Sequence, residues 1–299
     1  ALDEDANEDI IDLFDDPNAP AIAKASALIW LDPSRSDDSL EIILASLKNP
    51  NEPQLRVAAV LALQNYRDVE GNRNPFTTLR NHVIPLLDDP VRSVRTAAAQ
   101  VSSEVPTSIW PTESLPSFQR ALKELETGLM VNNDRAATHL TLGSIYENLR
   151  QHDKAEQAYR LAIQVEPNAT GPRSNLAELY TRLAETLAQR YQQSNQPTPP
   201  NVQETIQNYL QQAETLRRNE FVNFERDASY APENAAVQYR YGLALYRNGQ
   251  LEEAVEVLRK VHQLEPRTPI YMIALSRLLQ TTEKFEEALE IAEKLTEIE

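Results

Sequence analysis

The chain has no cysteine among its 299 residues, which excludes disulfides, thiolate metal sites and covalent haem attachment within it and leaves its redox compartment open. Glycine is nearly as scarce, at six residues, too few to build the glycine-rich loops that wrap nucleotide phosphates. No apolar run is long enough to span a bilayer, and the N-terminus has neither the basic start nor the apolar core of a signal peptide. Because it begins with Ala1 rather than Met, the chain is expected to be a processed form or an excised fragment. Cations are in short supply as well, 29 against 45 acids, for a net charge of −16. Such a field repels nucleic-acid phosphates and anionic headgroups, so the expected partners are basic or mixed-charge proteins or peptides, with no nucleic acid and no membrane insertion. Eight carboxylates between Asp3 and Asp16 precede the first basic residue, Lys24. They read as a solvated acidic end.

Catalytic patterns are equally sparse. The four histidines, His82, His139, His152 and His262, form no i, i+4 pair around a Glu, the spacing that zinc hydrolases need. No Gly-x-Ser-x-Gly elbow occurs, and without cysteine the commonest acyl-transfer nucleophiles are gone. No metal site, cofactor or catalytic residue is assigned.

What is present is repetition. The block Ala136 to Ala169, AATHLTLGSIYENLRQHDKAEQAYRLAIQVEPNA, returns as AAVQYRYGLALYRNGQLEEAVEVLRKVHQLEPRT over Ala235 to Thr268. Small residues (Gly143, Ala155, Gly242, Ala254) sit where two antiparallel helices must cross closely, large ones (Tyr146, Tyr159, Leu258) fill the space between pairs, and Pro167 and Pro266 end each unit. With Leu142, Gly143, Tyr146, Ala155, Tyr159, Ala162 and Pro167 at its signature offsets, the first block resembles the tetratricopeptide repeat family. The resemblance implies an all-α superhelix, a solenoid of stacked helix pairs.

The N-terminal third repeats differently. DPNAPAIAKASAL from Asp16, NPNEPQLRVAAVLAL from Asn49 and DPVRSVRTAAAQV from Asp89 each pass from Asp or Asn-Pro into an Ala-rich helix. Ile22, Leu55 and Val94 align, 33 and then 39 residues apart, with an insertion near Gly71. Apolar helices at Ile10 to Phe14, Ser39 to Leu47 and His82 to Leu87 are expected to precede them. With Arg56, Arg95 and Lys24 following the aligned apolar residue, the unit resembles the HEAT repeat.

These readings divide the chain into HEAT-like repeats over 1–105, a Pro-rich linker over 106–116 and a tetratricopeptide domain over 117–299. The last comprises a capping helix over 117–131, repeats over 136–169, 235–268 and 269–299, and between them a degenerate repeat over 170–234. The degenerate repeat carries an insertion, SNQPTPPN from Ser194, and a long helix from about Val202 to Ala228. In it Glu220 and Asp227 replace the small residues, so the pair is expected to splay or extend beyond its neighbours.

In this family the inner face is formed by repeat positions 2, 5, 9 and 12, with help from 6 and 13. The resemblance therefore points to Asn175, Glu178 and Arg182, then to Tyr239, Arg240, Leu243 and Tyr246, and to Arg277 beside Ile273, as the partner-binding groove. Tyr and Arg dominate interface energetics. The family's grip on a C-terminal carboxylate by Lys, Asn and Arg is matched only at Asn175, since Leu140 and Ser144 stand where that clamp needs Lys and Asn.

The function expected is a non-enzymatic protein-interaction scaffold. The module order also resembles the C-terminal region of bacterial multihaem c-type cytochromes with a tetratricopeptide tail. That resemblance implies an exported, periplasmic or extracellular module whose haem would belong to an upstream region; otherwise the chain is expected in the cytoplasm. The alternative is the repeat region of an enzyme, a bilin-lyase-like HEAT protein or a glycosyltransferase, whose catalytic part lies elsewhere.

Overall fold

The structure, a computed structural model, describes residues 4–31, 37–64, 66, 75–193 and 197–296. Asp3, the insertion at 71–74 and the start of the Ser194 linker lie outside them. Among the described residues the protein is all-α, with fifteen α-helices, short 3-10 turns and no strand. It forms two compact units, one of Leu2–Asp134 with Thr141–Ala155, the other chiefly of Arg135–Leu140 with Glu156–Glu299.

The first unit contains α1 (Glu4–Asp15), α2 (Ala21–Leu28), α3 (Asp37–Ser46), α4 (Pro53–Leu63), α5 (Pro75–His82), α6 (Arg92–Ser102) and α7 (Leu115–Leu129). Successive Ala-rich helices pack in a row, α2 on α4, α4 on α6, and α6 on α7. Ala25, Ala58 and Ala97 are buried along it and keep the backbones close, while Leu28, Ile43, Leu63 and Leu87 fill the core. Ile22, aligned with buried Leu55 and Val94, is exposed. The segment His82 to Leu87, expected as a helix, is the end of α5 followed by a 3-10 turn over Ile84–Asp88. Pro85 has no N–H to donate, so an α-helix does not run through it.

Helices α2, α4 and α6 are each entered through an Asp-Pro or Asn-Pro corner that a cation closes. Lys24 Nζ donates to the carbonyls of Phe14 (3.0 Å) and Asp16 (2.8 Å). Arg56 Nη1 donates to those of Asn49 (2.6 Å) and Pro50 (3.2 Å), and Arg95 Nη1 to those of Asp89 (2.8 Å) and Pro90 (3.1 Å). The arginines also reach forward. Arg56 Nε and Nη2 hold the two Asp89 oxygens at 3.0 Å each, and Arg95 holds Glu124 on α7 at 2.9 Å. Corner and ion pair thus form a ladder running from repeat to repeat, with bidentate geometry that fixes each rung's angle. The proline-rich stretch that follows is ordered as two 3-10 turns. Trp110 pins it, donating from its indole N–H to the Val105 carbonyl (2.9 Å) and meeting Phe118 edge-on at 4.6 Å.

Helices α8 (Ala136–Asn148) and α9 (His152–Val165) contribute residues to both units. The second unit continues with α10 (Pro172–Gln193), α11 (Pro200–Tyr230), α12 (Ala235–Arg247), α13 (Leu251–Leu264), α14 (Pro269–Thr281) and α15 (Phe285–Thr296). Each helix packs on the next. Proline at the first turn of α10, α11 and α14 suits a position whose N–H has no helical partner.

Three turns between paired helices have one construction. Arg150, Gly249 and Glu283, at the same repeat position, have φ of 57°, 76° and 60°. The next amide in each case, of Gln151, Gln250 or Lys284, donates to a carbonyl five residues back, at 2.8 to 3.0 Å. This is the Schellman ending, in which a left-handed residue lets the chain satisfy the helix's last carbonyls. At the crossing of α12 and α13 a Cβ on Gly242 would lie 2.8 Å from Leu258 Cδ2, so any larger residue there must displace the Leu258 side chain.

The irregular repeat extends as expected, into helices of 22 and 31 residues, but Glu220 does not splay it. Glu220 is 0% exposed and accepts hydrogen bonds from the Gly171 (2.6 Å) and Ser174 (2.9 Å) amides. A carboxylate from α11 therefore caps the start of α10, where aligned N–H groups favour negative charge.

Candidate functional site

Helix α12 starts at an Asn234 cap, whose side chain accepts from the Val237 amide at 3.1 Å. From there Tyr239, Leu243 and Tyr246 recur at i, i+4 and i+7 and share a face. On α14, Ile270, Ile273 and Arg277 recur at i, i+3 and i+7. Because α13 packs on both helices, it sets their spacing, and the two stripes line one cavity of about 360 Å³ floored by Leu258 and Leu278. Tyr239 packs its ring on Tyr271, centroids 4.8 Å apart. Tyr246 and Ile270 remain 44% and 56% exposed. Side chains of this size left open around a concavity mark a binding surface more often than a structural one.

The electrostatics of the cavity are unlike those of the chain. Its lining contains no carboxylate and one cation, Arg277. Arg240, outside the lining, is exposed on α12, with Nε donating to its own helix at the Ala236 carbonyl (3.3 Å). Burial pushes the Tyr239 hydroxyl above the ordinary tyrosine range and the Arg247 charge opposes that shift. At Tyr271 burial again raises the pKa, with Glu265 and Tyr239 adding to it and Arg240 opposing. Guanidinium charge thus reaches the ring hydroxyls from Arg240 and Arg247.

The sequence-derived set is divided by the structure. Tyr239, Leu243, Tyr246 and Arg277 line one cavity, whereas Arg240, on the same helix as the tyrosines, is exposed and outside that lining. Asn175, Glu178 and Arg182 lie on α10, outside that lining. Asn175 is half-buried with its amide on the Gly171 carbonyl (2.9 Å), Glu178 is exposed with Arg217 at 3.9 Å, and Arg182 is exposed. Ile270 was missed, although it occupies the second position of its repeat, one of those expected to face inward.

A second cavity of about 360 Å³, lined by Arg160, Tyr180, Asn208 and Gln211, lies on the α11 side of α10. Its polar groups already serve one another. Tyr180 Oη accepts from Arg160 Nη2 (2.7 Å) and donates to Glu156 Oε1 (2.8 Å). Burial and that carboxylate push its pKa up to about 12. Among the described residues no three His, Asp or Glu side chains converge as a metal site. No described helix is long and apolar enough to cross a membrane.

Solved structures similar to the chain include MamA from MSR-1, 14% identical over 75% of this chain and 95% of that one with a TM-score of 0.36. Yeast Tom70 is 17% identical over 95% of this chain and 61% of that one, with a TM-score of 0.46. No curated protein sequence matches. The tetratricopeptide repeat family model matches residues 136–169 and again residues 235–268. The helix pairs α8–α9 and α12–α13 are therefore tetratricopeptide repeats, and the second of them supplies one wall of the cavity.

Proposed function

We propose that the chain is a non-enzymatic scaffold that holds an extended protein segment between α12 and α14. The observation that carries this reading is the exposed apolar rim of Tyr246, Ile270 and Ile273 around a cavity formed ahead of any ligand. Stacked helix pairs supply such concave surfaces without a catalytic group, and a Tyr and an Arg are the residue types that anchor interfaces. The test is selection of a displayed random-peptide library on the full chain and on a Tyr246→Ala, Ile273→Asp variant. Enrichment that disappears in the variant, with its melting temperature within a few degrees of the parent, supports the groove. Enrichment of the same sequences on both proteins places binding elsewhere.

The N-terminal unit is proposed to be HEAT-like, a reading supported by the recurring Asp-Pro or Asn-Pro corner with its cation at Lys24, Arg56 and Arg95. That order of modules supports the narrower proposal of a partner-binding tail on an exported multihaem cytochrome. A gene whose upstream part lacks CxxCH segments excludes it.

A further inference from the structure

The cavity lining carries one cation, Arg277, and no carboxylate. With 45 acids for 29 bases, many of the chain's cations are met by a carboxylate. In the same unit Arg217, Arg226, Arg259, Lys260 and Lys284 each have one within 4 Å. Arg240, Arg247 and Arg277, like Arg173 and Arg190, have none among the described residues. Two of them share a face of α12, since Arg240, Leu243 and Arg247 are spaced i, i+3 and i+7, and the third comes from the opposite wall. Glu265 acts on the Tyr271 hydroxyl but sits in the turn after α13, outside the lining. The result is an apolar cavity with one guanidinium, Arg277, in its lining and two more, Arg240 and Arg247, exposed on the helix that forms the other wall. Guanidinium is the side chain whose planar fork matches a carboxylate.

We propose that this groove selects an acidic segment, one whose apolar anchor enters between Tyr246 and Ile273 and whose Asp or Glu side chains pair with Arg240, Arg247 and Arg277. The inference rests on the groove being the binding site. It reverses the partner charge expected from the net charge of the chain, because the two act over different ranges. The whole-chain field sets the approach of a ligand and is screened beyond about 10 Å, whereas the contact pairs set how long it stays. An acidic ligand therefore associates slowly and dissociates more slowly still.

The experiment uses three fluorescein-labelled peptides with the same Leu and Phe anchors and flanking residues that are all Glu, all Ser or all Lys. Polarization and stopped-flow mixing are measured with the full chain and with an Arg247→Glu, Arg277→Glu variant, whose fold is checked by circular dichroism. The Glu peptide is expected to bind about tenfold or more tighter than the Lys peptide, through its dissociation rate, and the variant to invert the order. Equal binding of the Glu and Ser peptides, tighter binding of the Lys peptide, or an order the variant leaves unchanged overturns the proposal. If none of the three binds while library selection still returns groove-dependent sequences, acid selection alone is overturned. If selection returns nothing, the groove itself falls as the site.

Discussion

Arg56 and Arg259 do comparable work with different surroundings. Each stands on the second helix of a pair and reaches a carboxylate of the next pair, 33 and 28 residues on. The Arg56–Asp89 pair is 5% and 7% exposed, whereas Arg259–Glu287 is 31% and 35% exposed. In the first unit, directional charge lies inside the stack and fixes the angle between repeats. In the second, stacking relies on glycine and alanine at helix crossings, and its ion pairs lie on the outside. The lesson is that repeat spacing alone does not tell which charges hold a solenoid together. Burial does, because a buried ion left without its partner has no water to turn to, while an exposed one has.

The sharpest break in this comparison is Asp89→Ala. It leaves the Arg56 guanidinium buried and half-satisfied, and is expected to cost about 3–5 kcal/mol in urea unfolding. An Arg56→Met, Asp89→Leu double change should recover most of that loss, since an apolar replacement strands no charge. Next comes Gly242→Leu, which drives a side chain into Leu258 at the α12–α13 crossing. A loss of about 1–3 kcal/mol is expected, and unchanged stability would place the repeat register elsewhere.

Glu220 is the second unit's own buried charge and gives a pH test. Burial raises its pKa, while the Gly171 and Ser174 amides and Arg173 pull the other way. A folded value above the unfolded one favours the protonated form, so its stabilising contribution is complete below the ordinary Glu pKa of about 4.3 and is lost as pH rises through the raised value. Thermal melts should therefore show Glu220→Gln gaining on the parent as pH rises above about 4.3. A constant difference across that range would mean the carboxylate is as comfortable folded as unfolded. The smallest effect is expected for Arg259→Ala, about 0.2–1 kcal/mol in the same urea assay. A cost equal to that of Asp89→Ala would erase the distinction between the units.

Much of this was legible in the sequence, and for physical reasons. Crossing residues such as Gly143, Ala155, Gly242 and Ala254 stand out because only small side chains tolerate close helix approach. The Asp-Pro corners announce themselves because proline has no N–H. The stripe of Tyr239, Leu243 and Tyr246 follows from helix spacing, and the structure opens it onto a cavity. Other features leave no local trace. Arg150 and Glu283 take the left-handed turn that only Gly249 advertises. The 3-10 turn at Ile84–Asp88 looks apolar enough to be a helix. The fate of Asn175, Glu178 and Arg182 depends on where α11 lies, and nothing within α10 encodes that.

The same long-range dependence makes Glu220 a matter of timing. Helix starts are usually closed by a Ser, Thr, Asp or Asn immediately before them, but α10 receives its cap from a residue 46 to 49 positions later. While the chain is being synthesised, the first turn of α10 therefore waits uncapped until α11 has emerged and folded back. The loop must close before it is rewarded. The irregular repeat is accordingly expected to open and shut as one piece, a single cooperative block spanning about twice the sequence of its regular neighbours.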